Sequence, residues 1–260
     1  MELNSFQEKM RHFLPEIELR FAEPMSRHTS LRIGGPAEVM AFPQNPQELA
    51  HILKVTKELD ITCAILGAGT NILAPDEGCR GLIICLKDCL GGMEPLPGNC
   101  IRVMAGVTMA RAAVFAANHG LSGLEFAHGI PGTVGGGVYM NAGAYGGEMS
   151  GICRSVTLMD GAGQLREVNA RELEFSYRHS KLQESGEIVI SAALQLQPAA
   201  PEEVKQKMRE LQAKRLASQP LDYPSAGSAF KRPAGGYAAA LIDQAGLRGF
   251  QVGQAAIARK

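Results

Sequence analysis

Gly129-Ile130-Pro131-Gly132-Thr133-Val134-Gly135-Gly136-Gly137, continued by Met140-Asn141-Ala142-Gly143-Ala144-Tyr145-Gly146-Gly147, is the stretch on which the reading of this chain turns. Eight glycines between Gly129 and Gly147 exclude a regular helix or strand through the whole of it. Without a Cβ, such a segment lets a flat ligand lie against main chain and turns backbone N–H groups toward phosphates or ring heteroatoms. The plain alternative is a glycine-rich surface loop. A second loop, Gly67-Ala68-Gly69-Thr70-Asn71, follows the apolar run Thr62–Leu66 and has the same character, with Thr70 and Asn71 adding side-chain donors. It lacks the third glycine of the nicotinamide-dinucleotide fingerprint, and no GxxxxGK segment followed by Ser or Thr occurs.

Working outward, the first 20 residues suggest a short amphipathic helix and a lead-in. A strand is expected over 37–42. A helix follows, with Asn45 as cap, Pro46 at its first position and Glu48 three residues after the cap. Further strands are expected over 62–66, 82–86, 101–105 and 188–196. A helix over 108–118 stops at Gly120, and a hairpin of 153–159 with 164–168 turns at Asp160-Gly161-Ala162-Gly163. Pro198-Ala199-Ala200-Pro201 resembles a joint, and a charged helix follows over 202–218. The alternation is irregular and includes hairpins, which points to α+β rather than a doubly wound parallel sheet.

Composition is that of a soluble globular protein: 45% hydrophobic, 20% charged, net charge +0. It advertises neither nucleic acid nor a membrane surface. From Pro198 onward ten Lys/Arg face five Asp/Glu, which suits an anionic ligand; a solvated helix face around Lys205–Arg215 accounts for about half of those positive charges equally well. The six cysteines form no CxxC pair and no zinc spacing, so reduced thiols and no metal are expected. Glu2, Glu8, Lys9 and Arg11 break any signal-peptide core, and no apolar run approaches a membrane span. A cytoplasmic monomer without membrane insertion is the economical reading.

Five motifs in order carry a resemblance: Thr29-Ser30-Leu31-Arg32-Ile33-Gly34-Gly35, Gly67–Asn71, Gly129–Gly146, Phe175-Ser176-Tyr177-Arg178 and Gly227-Ser228-Ala229-Phe230-Lys231-Arg232-Pro233. Together they resemble the UDP-N-acetylenolpyruvoylglucosamine reductases, whose flavin domain is of the vanillyl-alcohol-oxidase type. The resemblance implies an α+β fold with N-terminal and main FAD-binding subdomains over 1–60 and 61–197. A substrate-binding domain is expected over 198–260.

It further implies non-covalent FAD, NADPH as reductant and UDP-N-acetylglucosamine enolpyruvate as substrate, reduced by hydride from flavin N5 to C3 of the enolpyruvyl ether. Cofactor contacts would come from Arg32, Gly67, Ala68, Gly69, Thr70, Asn71, Gly129, Ile130, Pro131, Gly132, Thr133, Gly135, Gly136, Asn141, Ala142 and Gly143. By similarity Arg178 stabilises charge developing beside the substrate carboxylate. Ser228 protonates C2, and Tyr177, Lys231 and Arg232 bind substrate; family members often carry asparagine where Arg232 stands. The interval from Arg178 to Ser228 is short, as in the subtype without an added substrate-capping loop. Taken alone, Arg178 would pass for a surface cation paired with Glu174.

The resemblance places a catalytic glutamate in a segment past Lys260. No residue of the 260 is assigned that role, and the expectation is a fragment that binds FAD with little reductase activity. Two other readings are a flavin oxidase of the same fold, covalently linked through His119 or His128, and a non-catalytic flavin- or UDP-sugar-binding protein.

Overall fold

The computed structural model describes residues 4–259. Helix α1 (Ser5–Phe13) is opened by a capping box in which Asn4 accepts from Gln7 N while Gln7 reaches back to Asn4 N. Strand β1 (Glu18–Pro24) then runs antiparallel to β2 (Pro36–Phe42), beginning inside the stretch read from sequence as only a short helix and a lead-in. Helix α2 (Pro46–Glu58) starts as its sequence requires: Asn45 Oδ1 accepts from Glu48 N at 2.9 Å, and Pro46 occupies the first turn. Its buried face of Leu49, Ile52, Leu53 and Val55 is worth about 1.5–3 kcal/mol per side chain. Strands β3 (Cys63–Leu66) and β4 (Cys79–Cys85) complete a four-stranded sheet of order β1-β2-β4-β3, with β4 parallel to both of its neighbours.

The second sheet begins with β5 (Met93–Leu96) and β6 (Cys100–Met104), followed by α3 (Met109–Asn118), which Thr108 caps. Short pieces follow: β7 (Leu121–Ser122), α4 (Val134–Tyr139), and a two-residue hairpin of β8 (Gly143–Ala144) with β9 (Gly147–Glu148). Strands β10 (Cys153–Met159) and β11 (Leu165–Asn169) form the expected hairpin, whose turn is fixed by Asp160 Oδ1 accepting from Ala162 N and Gln164 N. After α5 (Leu182–Ser185) comes β12 (Ile188–Gln195), the central strand of an antiparallel sheet ordered β11-β10-β12-β6-β5. Strand β13 (Gln197–Pro198) clasps β7, and α6 (Pro201–Ser218) follows.

Strand β12 is buried on both faces. Val189, Ala192 and Leu194 join a core roofed by α3, α4 and α6, whereas Ile188 and Ile190 pack with Val39, Ala41, Leu49 and Ile52 of the first unit. The expected division at residue 60 therefore falls inside the first sheet, which needs β3 and β4. The joint near 198 likewise separates α6 from the core to which Val204 and Met208 contribute. The last stretch holds α7 (Ala238–Gln244) and the hairpin of β14 (Gln251–Val252) with β15 (Ala255–Ala256); no described residue after 218 is buried.

Candidate active site

The glycine-rich stretch is not loop throughout. Thr133 caps α4, its Oγ1 accepting from Gly136 N at 3.3 Å, and Val134 N and Gly135 N donate to Val107 O and Ala105 O. Gly135 is glycine for packing, because a Cβ there would stand 2.9 Å from Ala105 Cβ. Both loops meet at this point. A Cβ on Gly67 would sit 2.7 Å from Thr133 Oγ1, and one on Gly132 would lie 3.7 Å from Thr70 Oγ1. Buried Gly69 has φ +60 and lies against His28 O, and its own carbonyl accepts from Ser30 N at 3.0 Å. The Ser30 loop thus forms a third wall.

These walls carry unspent donors. The backbone N–H groups of Ala68, Gly69, Thr70 and Asn71, and those of Gly132 and Thr133, donate to no described protein atom. Two buried side-chain atoms, Ser30 Oγ and His128 Nδ1, also lack a protein partner. An unmet buried polar group costs about 1–3 kcal/mol, so buried Ser30 Oγ and His128 Nδ1, with free backbone N–H groups on two touching loops, call for a ligand rich in acceptors. A diphosphate-bearing, flat cofactor answers that requirement: consecutive N–H groups make an anion cradle, and Cβ-free backbone admits a ring. The residues present fit FAD.

The remaining motifs are tied to this cradle. Ser176 and His179 exchange backbone hydrogen bonds at 3.1 and 3.2 Å, so Tyr177 and Arg178 form the tip of a tight turn, with Arg178 at φ +56. Arg178 Nη2 donates to Gly143 O at 3.3 Å, and the guanidinium lies 5.3 Å from the Tyr177 ring centroid. Glu174, the candidate surface partner, instead accepts from Lys181 Nζ at 2.5 Å, which holds its carboxyl below the usual range. Arg178 has no carboxylate partner among the described residues. From the other side, Ser225 N donates to Ser30 O at 3.1 Å and Arg232 N donates to the Tyr177 hydroxyl oxygen at 3.3 Å. The 225–233 strap therefore spans from the first wall to the arginine turn.

Individual residues fall out differently. Asn141 is 2% exposed and fully engaged, donating from Nδ2 to Ser176 O at 3.0 Å and accepting at Oδ1 from Ser150 N at 2.9 Å. It is a strut between the glycine stretch and the arginine turn. Gly143 has its carbonyl on Arg178 and sits in the small hairpin; Ala142 N donates to Gly137 O. Arg32 (φ +57) and Asn71 are exposed. Ser228, Lys231 and Arg232 are exposed on the strap, and the Arg232 guanidinium lies 4.3 Å from the Tyr237 ring centroid. His119 Nδ1 is engaged by Phe115 O at 2.8 Å. All six cysteines are free.

Facing glycine loops with an unspent donor set, carried between a mixed and an antiparallel sheet, define an FAD-binding protein of the vanillyl-alcohol-oxidase fold. Residues 37–169 match the FAD binding domain model. The same fold occurs in a solvent-stable cholesterol oxidase, with a TM-score of 0.56 over 76% of this chain and 40% of that one, at 17% identity.

The chain belongs to the UDP-N-acetylenolpyruvoylglucosamine reductase family. Residues 219–260 match the model of that family's C-terminal domain. The chain is 44% identical to the UDP-N-acetylenolpyruvoylglucosamine reductase of Agathobacter rectalis, over 98% of this chain and 85% of that protein. The crystal structure of the Thermus caldophilus reductase superposes with a TM-score of 0.76 at 33% identity, covering 94% of this chain and 85% of that one.

Proposed function

We propose that this chain catalyses the NADPH-dependent reduction of UDP-N-acetylglucosamine enolpyruvate to UDP-N-acetylmuramate, a step of peptidoglycan precursor synthesis. When bound, FAD would supply the hydride chemistry that links NADPH to the enolpyruvyl double bond. The chain's own residues bind, orient and manage charge. Ala68–Asn71 and Gly132–Thr133 receive the cofactor diphosphate through backbone N–H groups, while Gly132 keeps a Cβ out of its path.

Arg178 grips the substrate carboxylate. Its guanidinium is always protonated and can offer two parallel donors, so negative charge developing beside that carboxylate is stabilised where it forms. The turn at Ser176–His179 and the Gly143 carbonyl aim it; Asn141 fixes the turn. Ser228 then delivers a proton to the carbon next to the carboxylate. Tyr177, Lys231 and Arg232 take the nucleotide-sugar end, where a basic strap suits a diphosphate. The observation that carries this reading is that half-buried Arg178, tied by the Gly143 carbonyl to the glycine cradle, has no carboxylate partner among the described residues. Among the described residues no helix is long and apolar enough to cross a membrane. A nucleotide-linked substrate and NADPH as reductant support the reading of a cytoplasmic reaction.

The test is substrate-dependent oxidation of NADPH by the FAD-loaded protein, with the product identified by mass as the lactyl ether. NADPH oxidation that is indifferent to the enolpyruvyl substrate and yields only reduced oxygen would replace this reading with that of an oxidase.

A further inference from the structure

Helix α6 carries several cations, and one is unlike the rest. Lys205 pairs with Glu202 at 3.1 Å, and Arg209 donates to Gln206 at 2.8 Å, both at the surface. Arg215 is half-buried, forms no ion pair among the described residues, and makes a single side-chain hydrogen bond, from Nη1 to the carbonyl oxygen of Gly129. A Cβ built on Gly129 would stand 3.1 Å from Arg215 Cδ and 3.3 Å from Nη1, so the arginine lies flat across the residue that opens the flavin loop. The residue before it is His128, whose buried Nδ1 has no partner among the described residues.

A guanidinium out of water with no counter-charge is costly, and burial pushes the Arg215 pKa down from its ordinary value. An anion arriving beside it would offset that cost. Gly129 lies three residues before Gly132, where the unspent N–H groups of both loops converge. The permanent charges of FAD are those of its diphosphate. Four of the five guanidinium N–H donors remain for a ligand once one is given to Gly129.

We propose that Arg215 is a cofactor-positioning residue: it clamps the flavin loop through the Gly129 carbonyl and supplies the counter-charge for the FAD diphosphate. This rests on the FAD-binding reading of the same loops. It also gives α6 a role at the flavin, beyond linking the second sheet to the strap.

The test uses the full chain after removal of flavin, titrated with FAD and with ADP at low and high salt, for wild type, Arg215→Met and Arg215→Lys. Thermal unfolding of each apoprotein is measured alongside. Loss of one charge-assisted contact should weaken FAD by about 10- to 100-fold in Arg215→Met, weaken ADP in parallel, and flatten the salt dependence. Arg215→Lys should recover most of the affinity, because a cation is restored, and the three apoproteins should unfold at the same temperature. Arg215→Met binding FAD as wild type does would overturn the proposal. So would an affinity loss that Lys fails to restore and that tracks a loss of apoprotein stability, since Arg215 would then be a strut alone. A wild-type protein that takes up no FAD would overturn the flavin reading itself, and the comparison with wild type separates the two failures.

Discussion

Arg178 Nη2 donates to the carbonyl oxygen of Gly143 at 3.3 Å, joining the tip of a strained turn to the far end of the glycine-rich stretch. One contact thereby couples the residue that would meet the substrate carboxylate to the backbone that would hold the flavin. It leaves the other guanidinium donors unassigned. Cofactor and substrate groups are positioned by the same short piece of chain, which makes their contributions separable by half-reaction.

Arg178→Lys keeps the charge but loses the planar pair of donors. Flavin reduction by NADPH should be unchanged, while transfer to the enolpyruvyl substrate should slow by about 10²-fold or more, the usual cost of removing an oriented donor from developing charge. Rapid-mixing measurement of each half-reaction checks this. Equal slowing of both would mean that Arg178 serves the flavin.

Ser228→Ala should spare flavin reduction and slow the second half-reaction by about 10²–10⁴-fold, the span typical of general acid catalysis. The strap on which Ser228 sits hangs from Ser30 and Tyr177 through backbone groups, so the substitution leaves the strap in place. Retention of full transfer rate in the variant would remove Ser228 from the proton path.

The two loop glycines should respond differently to a single methyl. Gly69 at φ +60 faces His28 O, so Gly69→Ala should destabilise the apoprotein as well as weaken FAD. Around Gly132 a Cβ meets nothing nearer than Thr70 Oγ1 at 3.7 Å. Gly132→Ala should therefore leave apoprotein melting unchanged and act only on FAD affinity, and Gly132→Val should weaken FAD further. Identical melting losses for Gly69→Ala and Gly132→Ala would contradict this placement of the cradle.

Thiol reactivity follows burial. Cys153 is pushed up to about 12 and Cys89 to about 11, in each case chiefly by desolvation of the thiolate, whereas Cys63 is exposed on β3. A raised thiol pKa favours the neutral form in the folded state. Its contribution to stability is complete below the unfolded value of 9.0 and is lost as pH climbs toward the folded value. At pH 8 an alkylating reagent should therefore mark Cys63 first and Cys153 only on unfolding; peptide mapping that finds Cys153 modified at the rate of Cys63 would be inconsistent with its burial.

Much of this architecture is legible in the sequence where local chemistry and tertiary packing agree. Asn45, Pro46 and Glu48 announce α2, and Asp160 to Gly163 announce the hairpin, because caps and turns are settled by neighbours in the chain. Strand β1 escapes notice: it lies at the sheet edge, most of its residues are partly exposed, and its charged Glu18, Arg20 and Glu23 mask any alternation. Strand β5 is likewise an edge strand, interrupted by Pro95. Helix α4 runs against propensity, since three successive glycines disfavour a helix; close approach to Ala105 decides it, and that contact is nonlocal.

At the site, the loops and Arg178 are readable as motifs. What escapes the sequence is how their groups are spent. Asn141 resembles an open donor until its partners at Ser176 and Ser150 are known. Arg215 counts as one more charge on a solvated helix until its guanidinium is found across Gly129. Burial and hydrogen-bond accounting separate such cases, and neither is written in a single sequence.

The most direct test of the central claim is an anaerobic single turnover. The FAD-loaded protein is reduced with a stoichiometric amount of NADPH, then mixed with UDP-N-acetylglucosamine enolpyruvate while the flavin absorbance is followed. The account predicts that the oxidised flavin spectrum returns in step with formation of UDP-N-acetylmuramate, one product per flavin. Flavin that stays reduced in the presence of the substrate, and is reoxidised only when air is admitted, would contradict it.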